Sequence, residues 1–383
     1  MKVVYKIADN IISSLGITTA ENMAAINLEQ SGISLHTNEF KIPEPFQASV
    51  VNFERLDSVF RTFASESRYT NFERLLISSV HEASDHANVD LASPETLFVI
   101  STTKGNVSLL EPENENRFNQ ERANLWASAD EIVSFFRNPN NPLVVSQACI
   151  SGVSALLLAK MYLDSGKFKH VVVSGGDVLS KFIVSGFQSF KALSPARCKP
   201  FDSLRDGLSL GEGAATIILG IAEESGLPEN SIIVNAGATS NDANHISGPS
   251  RNGEGLLRAI MHTLKGIDTS KLAFINAHGT ATPFNDEMEA IALSRANLEH
   301  IPVNSFKGYI GHTLGAAGLI ETIICSHSLA DSLYVKCLGF NSLGVTKDIK
   351  VITEPMAFTG TECLKMASGF GGCNAVVHLK KHN

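Results

Sequence analysis

The chain has 383 residues, with 31 Lys and Arg against 39 Asp and Glu, and a formal net charge of −8. Its 44% hydrophobic and 18% charged content suits a large packed core. No uncharged apolar run approaches about 18 residues, which argues against a membrane span, and the net acidity argues against nucleic acid as a partner. The opening segment from Met1 to Asp9 lacks the apolar stretch of a secretory signal. Six cysteines (149, 198, 325, 337, 363 and 373) are scattered without a CxxC pair. That spacing argues against a disulfide framework or a zinc knuckle and for a reducing, cytoplasmic setting.

Short β-branched runs at 97–101, 143–146, 170–175, 214–219, 231–236, 272–277 and 375–379 read as strands buried on both faces. Helical stretches at 68–87, 153–165, 253–265, 286–296 and 317–329 lie between many of them. Strands alternating with helices predict an α/β protein of stacked layers. The polar segment from Glu223 to Asn230, with its Gly and Pro, marks a soft boundary near residue 225, giving halves 1–225 and 226–383. The letters of the two halves show no similarity to each other.

Four short segments carry the chemistry. The first is Leu143-Val-Val-Ser-Gln-Ala-Cys149-Ile-Ser-Gly. A strand, a tight turn and an apolar helix place the Cys149 thiol at or beside a helix N-terminus, where dipole and N–H groups favour thiolate. Ser151 and Gly152 leave room for approach to the sulfur. A cysteine in such a turn also reads as buried packing. The second is Asn276-Ala-His278-Gly-Thr-Ala-Thr-Pro, followed by a helix that Asn285 or Asp286 would cap. By itself it reads as a histidine closing a strand.

The third segment runs from Asn304 through Lys307 and Gly-His312-Thr-Leu-Gly-Ala-Ala-Gly318 to Glu321. It is not a P-loop, since Lys307 precedes the glycines and no Gly-Lys-Ser/Thr follows. The small residues 315–318 permit close helix packing. Glu321 in an apolar helix needs a basic partner, Lys307 or a histidine. The fourth segment is Ala367-Ser-Gly-Phe370-Gly-Gly-Cys-Asn374. Glycines around one Phe imply special backbone angles. An N–H presented there suits an oxyanion, and the stretch reads equally as a hairpin turn.

Taken in order with Phe201-Asp-Ser-Leu-Arg205-Asp-Gly-Leu-Ser-Leu-Gly-Glu212, these segments resemble the β-ketoacyl-acyl-carrier-protein synthases, the elongating condensing enzymes of fatty-acid and polyketide pathways. The resemblance covers nearly the whole chain. It implies a thiolase-like five-layer α-β-α-β-α fold of two pseudo-symmetric halves. It also implies an acyltransferase that performs decarboxylative Claisen condensation between an acyl-enzyme thioester and malonyl carrier protein.

Several residue roles follow from the resemblance. Cys149 is the nucleophile, His278 and His312 are the paired donors, and Lys307 supports them with Glu321 as counter-charge. The backbone N–H groups of Cys149 and Phe370 form the oxyanion hole, with Phe370 as gate. Thr280, Thr282 and Ser247 line the path of the phosphopantetheine arm. Asp206, Glu212, Asp286 and Glu289 pin turns, and His245 caps or packs. No metal or cofactor is implied beyond the 4′-phosphopantetheine carried by the acyl carrier protein.

The implied partners are that carrier protein and a second subunit, either identical or a related ketosynthase-like chain. The run from His170 is the candidate strand for pairing across that interface. Arg68, Arg74, Arg197, Lys199 and Arg205 are candidates for carrier docking. The chain departs from the common pattern at Ile150, Ser368, Ala281 and Cys373, the last expected to be an inert core thiol; Ile150 and Ser368 leave acyl preference open. These departures suit an aryl-polyene-like or pigment pathway as well as a variant fatty-acid enzyme. Two alternatives stand: a thiolase-type coenzyme A acyltransferase, and a non-catalytic chain-length subunit, against which Cys149 argues.

Overall fold

Strand and helix alternate along the chain to build one five-stranded arrangement twice. The computed structural model describes residues 1–112, 118–246 and 248–382. The strands are β1 (Lys2–Ile12), β2 (Ile33–His36), β3 (Phe46–Ser49), β4 (Thr96–Ser101), β5 (Leu143–Val145), β6 (His170–Asp177), β7 (Leu210–Gly211), β8 (Gly213–Glu223), β9 (Ile232–Asn241), β10 (Leu272–Asn276), β11 (Pro302–Asn304), β12 (Lys350–Val351), β13 (Glu362–Gly369) and β14 (Cys373–Lys381). The helices are α1 (Thr19–Asn27), α2 (Phe53–Phe60), α3 (Asn71–Asp85), α4 (Leu125–Phe135), α5 (Ser151–Asp164), α6 (Lys181–Ser189), α7 (Glu254–Thr263), α8 (Pro283–Arg295), α9 (Lys307–Ile310) and α10 (Ala317–Asp331).

Eleven strands form one ladder in the order β12-β11-β10-β13-β14-β9-β1-β8-β6-β4-β5. Outward from its middle, β1-β8-β6-β4-β5 and β9-β14-β13-β10-β11 repeat one pattern. Each has two antiparallel junctions followed by two parallel ones. The duplication that the letters hide is explicit in this topology. The two sets meet edge to edge through a single pairing, Tyr5 with Ile233.

Helices α5 and α10 lie against each other and touch strands of both sets. The largest core is built on them: Val153, Leu156, Leu319 and Ile323 pack with Val173 and Ile217 of one set and Val377 and Leu379 of the other. Strand alternation sends the intervening residues outward: Val172 packs away from this core, against Val80 and Ala83 of α3. Helices α3 and α4 cover the first set through Phe72, Leu76 and Ile132. Helices α7 and α8 cover the second through Leu256, Ile260 and Leu293. The result is the five-layer α-β-α-β-α order that the resemblance implied.

Three expectations change. Strand β6 is bonded on both sides, to β8 and to β4, so the run from His170 has no free edge to offer a partner. The free edge on that side is β5, which pairs only with β4 among the described residues. Thr282, not Asn285 or Asp286, holds the N-cap position of helix α8, without a side-chain capping bond and with Pro283 opening the helix. Gly152 serves helix contact rather than access to sulfur. A Cβ on Gly152 would stand 2.7 Å from the backbone N of Leu319, and one on Gly318 would stand 2.6 Å from that of Val153. Replacing Gly318 by Val should therefore destabilise the fold by about 1–3 kcal/mol or more through overpacking. Thermal denaturation would register this as a lowered Tm; an unchanged Tm would contradict the close contact.

Candidate active site

The strand-to-helix turn before α5 is tied by its own side chains. Ala148 adopts φ 47°, a left-handed conformation that costs a non-glycine residue roughly 1–2 kcal/mol. The Gln147 N–H donates to Ser151 Oγ at 2.8 Å, and the Ser151 hydroxyl donates to Ala148 O at 2.6 Å. This turn aims Cys149 into a cavity of about 380 Å³ that His278, His312, Thr280, Thr282 and Phe370 also line.

Burial pushes the Cys149 thiol up to about 12, with Cys373 adding to the rise, while Lys307 and a hydrogen bond from the Phe370 N–H pull it down. Desolvation thus outweighs the helix N-terminus, and the resting group is a thiol rather than the expected thiolate.

His278 and His312 reach the cavity from the second half of the chain. Their ring centroids are 5.0 Å apart and nearly perpendicular, at 85°. His312 Nε2 lies 2.9 Å from Cys149 Sγ. Glu289 holds the His278 loop by accepting the N–H groups of His278 and Gly279 at 2.6 and 2.7 Å. The His312 N–H donates to Ser209 O at 2.7 Å, and its carbonyl accepts the Gly211 N–H at 3.0 Å. Strand β7 of the first half therefore clamps a histidine of the second.

Burial first, then the charges of Lys307 and Lys365, hold both imidazoles well below the usual histidine range, and His312 adds to the effect on His278. Both shifts favour the neutral ring. One side-chain N or S atom from each of Cys149, His278 and His312 lies within 4.8 Å of the others.

Lys307 forms the anticipated ion pair, its Nζ meeting Glu321 Oε1. The sequence reading missed a third member. Lys365 Nζ lies 2.7 Å from Glu321 Oε2, and all three side chains are at most 1% exposed. Lys365 sits on β13 between Cys363 and Ala367, which face the central helices. A lysine inside an otherwise apolar run was its signal. Asp177 was also missed. It accepts from Thr102 Oγ1 at 2.7 Å, from the Thr103 N–H at 3.0 Å and from the Gly315 N–H at 2.7 Å, joining the ends of β4 and β6 to the turn before α10.

Thr280 and Thr282 place their hydroxyls 2.9 Å apart on the cavity wall. Ser247 lies outside the described residues; its neighbours Gly248 and Pro249 line the cavity. Phe370 stands at the mouth between Phe187 and Phe190, with ring centroids at 5.9 and 5.4 Å. Ser368 turns its hydroxyl to Asn374 Oδ1 at 2.8 Å, and Ile150 is buried in the central core. Ala281, one of the departures from the common pattern, holds φ 64°, a left-handed conformation that favours glycine. Cys373 is not a core thiol: half-buried, it donates to Phe370 O at 3.2 Å and to Gln147 O at 3.6 Å.

The acids pin turns as expected. Glu212 accepts the N–H groups of Val51 and Leu179, Asp286 accepts those of Phe201 and Ala281, and Asp206 accepts the Ser194 hydroxyl. His245 Nδ1 accepts the Gly248 N–H at 3.2 Å, a turn-capping contact. The basic candidates fare unevenly. Arg74 is buried on Asp57 and Tyr69 O. Arg205 is 9% exposed and bound to backbone carbonyls, including Asp202 O at 3.1 Å. Neither is available to a partner. Arg68 and Arg197 are exposed and Lys199 is half-buried, while Lys191, unremarked in the sequence, is exposed and lines the cavity mouth.

Comparison with known proteins agrees with this geometry. The family model described as beta-ketoacyl synthase, N-terminal domain, matches residues 14–225, and the C-terminal domain model matches residues 230–341. The chain belongs to the beta-ketoacyl synthase family. A putative mitochondrial 3-oxoacyl-[acyl-carrier-protein] synthase of Schizosaccharomyces pombe is 32% identical over 256 residues, covering 61% of this chain and 60% of the relative. The 3-oxoacyl-[acyl-carrier-protein] synthase 2 of Staphylococcus aureus (strain COL) is 32% identical over 260 residues, covering 64% and 62%. These matches thus span about three fifths of the curated relatives' length.

Solved beta-ketoacyl synthase structures share the fold. The ishigamide ketosynthase/chain length factor superposes with a TM-score of 0.88 over 100% of both chains at 24% identity. The ketosynthase ApeO with its chain length factor ApeC from Xenorhabdus doucetiae gives 0.86 over 99% and 98% at 22% identity.

A buried neutral thiol in this beta-ketoacyl synthase site should alkylate with iodoacetamide at a rate that still rises at pH 9. A rate that levels off near pH 7 would indicate a resting thiolate and contradict the desolvation argument.

Proposed function

We propose that this protein is a β-ketoacyl-acyl-carrier-protein synthase that extends an acyl chain by decarboxylative Claisen condensation. The observation that supports this most is the meeting of Cys149, His278 and His312 in one cavity, with Cys149 Sγ 2.9 Å from His312 Nε2. In this reading residues 1–225 supply the nucleophile and residues 226–383 supply the histidines.

The first step transfers an acyl group from a carrier thioester. Neutral His312 takes the Cys149 proton as sulfur attacks the carbonyl carbon. The same proton leaves with the carrier thiol, and acyl-Cys149 remains. The oxyanion faces the backbone N–H groups of Cys149 and Phe370, the latter already directed at the sulfur. In the second step the bond from the malonyl methylene carbon to its carboxylate breaks. Carbon dioxide leaves, and the electron pair forms an enolate whose oxygen meets N–H donors of His278 and His312. The enolate carbon attacks acyl-Cys149, the β-ketoacyl carrier product forms, and the expelled thiolate takes up one proton from water.

The chain's cofactor requirement is met by the substrate's own phosphopantetheine arm. Thr280 and Thr282 line the cavity with hydroxyls suited to its amide groups, and Ser247 is adjacent in sequence to the lining residues Gly248 and Pro249. The mouth combines exposed Phe190 and Phe284, at 58% and 78%, with Lys191. That mixture suits an acidic carrier protein bearing an apolar acyl chain. Cys373 does not line the cavity, which disfavours a thiolase-type reading with a second catalytic cysteine.

The second subunit, identical or related, belongs at β5. Val144 and Val145 are half-exposed on the free edge, beside a groove of about 730 Å³ that Leu157, Leu158 and Met161 line. An apolar free edge is a template for strand addition. The solved relatives that pair a ketosynthase with a chain length factor support a partner of the same architecture.

Three outcomes test this reading. With acyl and malonyl carrier proteins, Cys149→Ala should abolish condensation, and His278→Ala or His312→Ala should slow malonyl decarboxylation on the order of 100-fold. Decarboxylation by either histidine variant at the wild-type rate would remove the pair from the mechanism. Val144→Asp should shift the protein toward monomer in sedimentation velocity; an unaltered distribution would move the interface elsewhere.

A further inference from the structure

The proposed condensation accounts for Lys307 and Glu321 as a supporting ion pair, but a lone pair of opposite charges would present no net charge to the site. Lys365 changes that. Glu321 gives one oxygen to Lys307 and the other to Lys365, and the two lysines and one carboxylate are sealed from water. Besides Glu321, the Lys365 ammonium has the neighbouring carbonyl of Met366 as partner. The group therefore carries a formal charge of +1 inside the protein, where a charge is tolerated only with compensation. Its compensation is incomplete in the resting molecule and becomes complete when negative charge forms on the substrate.

We propose that Lys365 is a positioning residue for the reaction. It divides the charge of Glu321, so that Lys307 is only partly neutralised and a positive potential stands behind His278 and His312. That potential adds to burial in favouring the neutral imidazoles, the form that can take the Cys149 proton and can donate to an enolate oxygen without carrying a charge of its own. The lysine touches neither substrate nor sulfur. It acts through Glu321 and the two rings, and it rests on the condensing-enzyme reading above for its chemical purpose. The direction of the histidine titrations, lowered by both Lys307 and Lys365, agrees with it.

The charged groups around the pair come from several elements. Asp286 and Glu289 stand on α8, Lys307 on α9, Glu321 on α10, Asp177 on β6 and Lys365 on β13, with Cys149 ahead of α5. Glu289 has its carboxyl pushed up to about 7, chiefly by burial, so its charge changes within the pH range scanned and needs a control.

The test uses the full-length protein and needs no carrier substrate: the pH dependence of Cys149 alkylation by iodoacetamide, followed by mass spectrometry. Removing one positive charge raises every proton affinity in the Cys149–histidine group. Lys365→Met should move the profile up by roughly 0.5–2 pH units, about three- to hundred-fold slower at fixed pH. Glu321→Gln, which leaves two cations, should move it down. The double variant Lys365→Met/Glu321→Gln has the original +1 charge, and its profile should return toward wild type. Glu289→Gln should leave these displacements in place.

A purely packing role for Lys365 predicts a double variant worse than either single one. That result, or a folded Lys365→Met protein with an unmoved profile, would overturn the proposal. Should Lys365→Met fail to fold, an unmoved profile in Glu321→Gln would overturn it. Wild-type protein that alkylates as described yet never condenses carrier substrates would sink the functional reading and leave the charge argument standing.

Discussion

The contact between α5 and α10 organises everything else. Both helices start at the same place in their respective halves, after the third strand of the set, and they cross where Gly152 meets Gly318. Cys149 immediately precedes one helix, and His312 precedes the other by a short turn. Bringing the two backbones to van der Waals distance therefore delivers a thiol and an imidazole to the same point, from segments 163 residues apart. The side chains that pack this layer, Val153, Leu156, Leu319 and Ile323, are fully buried. Burying each contributes roughly 1.5–3 kcal/mol, so the meeting point is held by the middle of the core and not by mobile loops.

The same burial sets the chemistry. A site this dry makes ionisation of either partner expensive, which is why thiol and imidazoles rest neutral. Neutrality is useful here because the charge that the proposed reaction builds on the substrate oxygen is negative and transient. Hydrogen-bond donors already in place, backed by the buried lysines, meet that charge without a reorganising solvent shell. The acids around the site do mechanical work instead. Glu289, Asp286, Glu212 and Asp177 each accept backbone N–H groups and fix the loops that present the reactive side chains. A carboxylate that accepts two backbone N–H groups is satisfied where it stands and can remain buried.

Much of this was legible in the letters. The strands over 97–101, 170–175 and 214–219 appear as read because each is apolar on both faces, as a strand between helix layers must be. The Cys149 turn and both histidine loops were visible because turn chemistry and reactive residues coincide there. Other features were hidden for physical reasons. Strand β13 escaped notice because Lys365 interrupts its apolar run, and β1 ahead of Asn10 because Lys6 and Asp9 do the same. Both interruptions are buried or half-buried and have a partner far away in sequence, Lys365 on Glu321 and Asp9 on His327, while Asp9 also pairs locally with Lys6. The duplication was invisible because it resides in strand order, not in residue identity. The interface strand was misplaced because hydrophobicity marks a buried central strand more strongly than a free edge; β6 has three valines to the two of the shorter β5 and is more deeply buried.

The central claim is that one sulfur, Cys149, accepts the acyl group in a cavity it shares with His278 and His312. Incubation with an acyl carrier protein thioester, without malonyl substrate, followed by peptide mapping, addresses it directly. The account predicts a single acyl adduct, on the peptide containing Cys149. An adduct on Cys373 or any other residue, or no adduct in a folded protein, would contradict it.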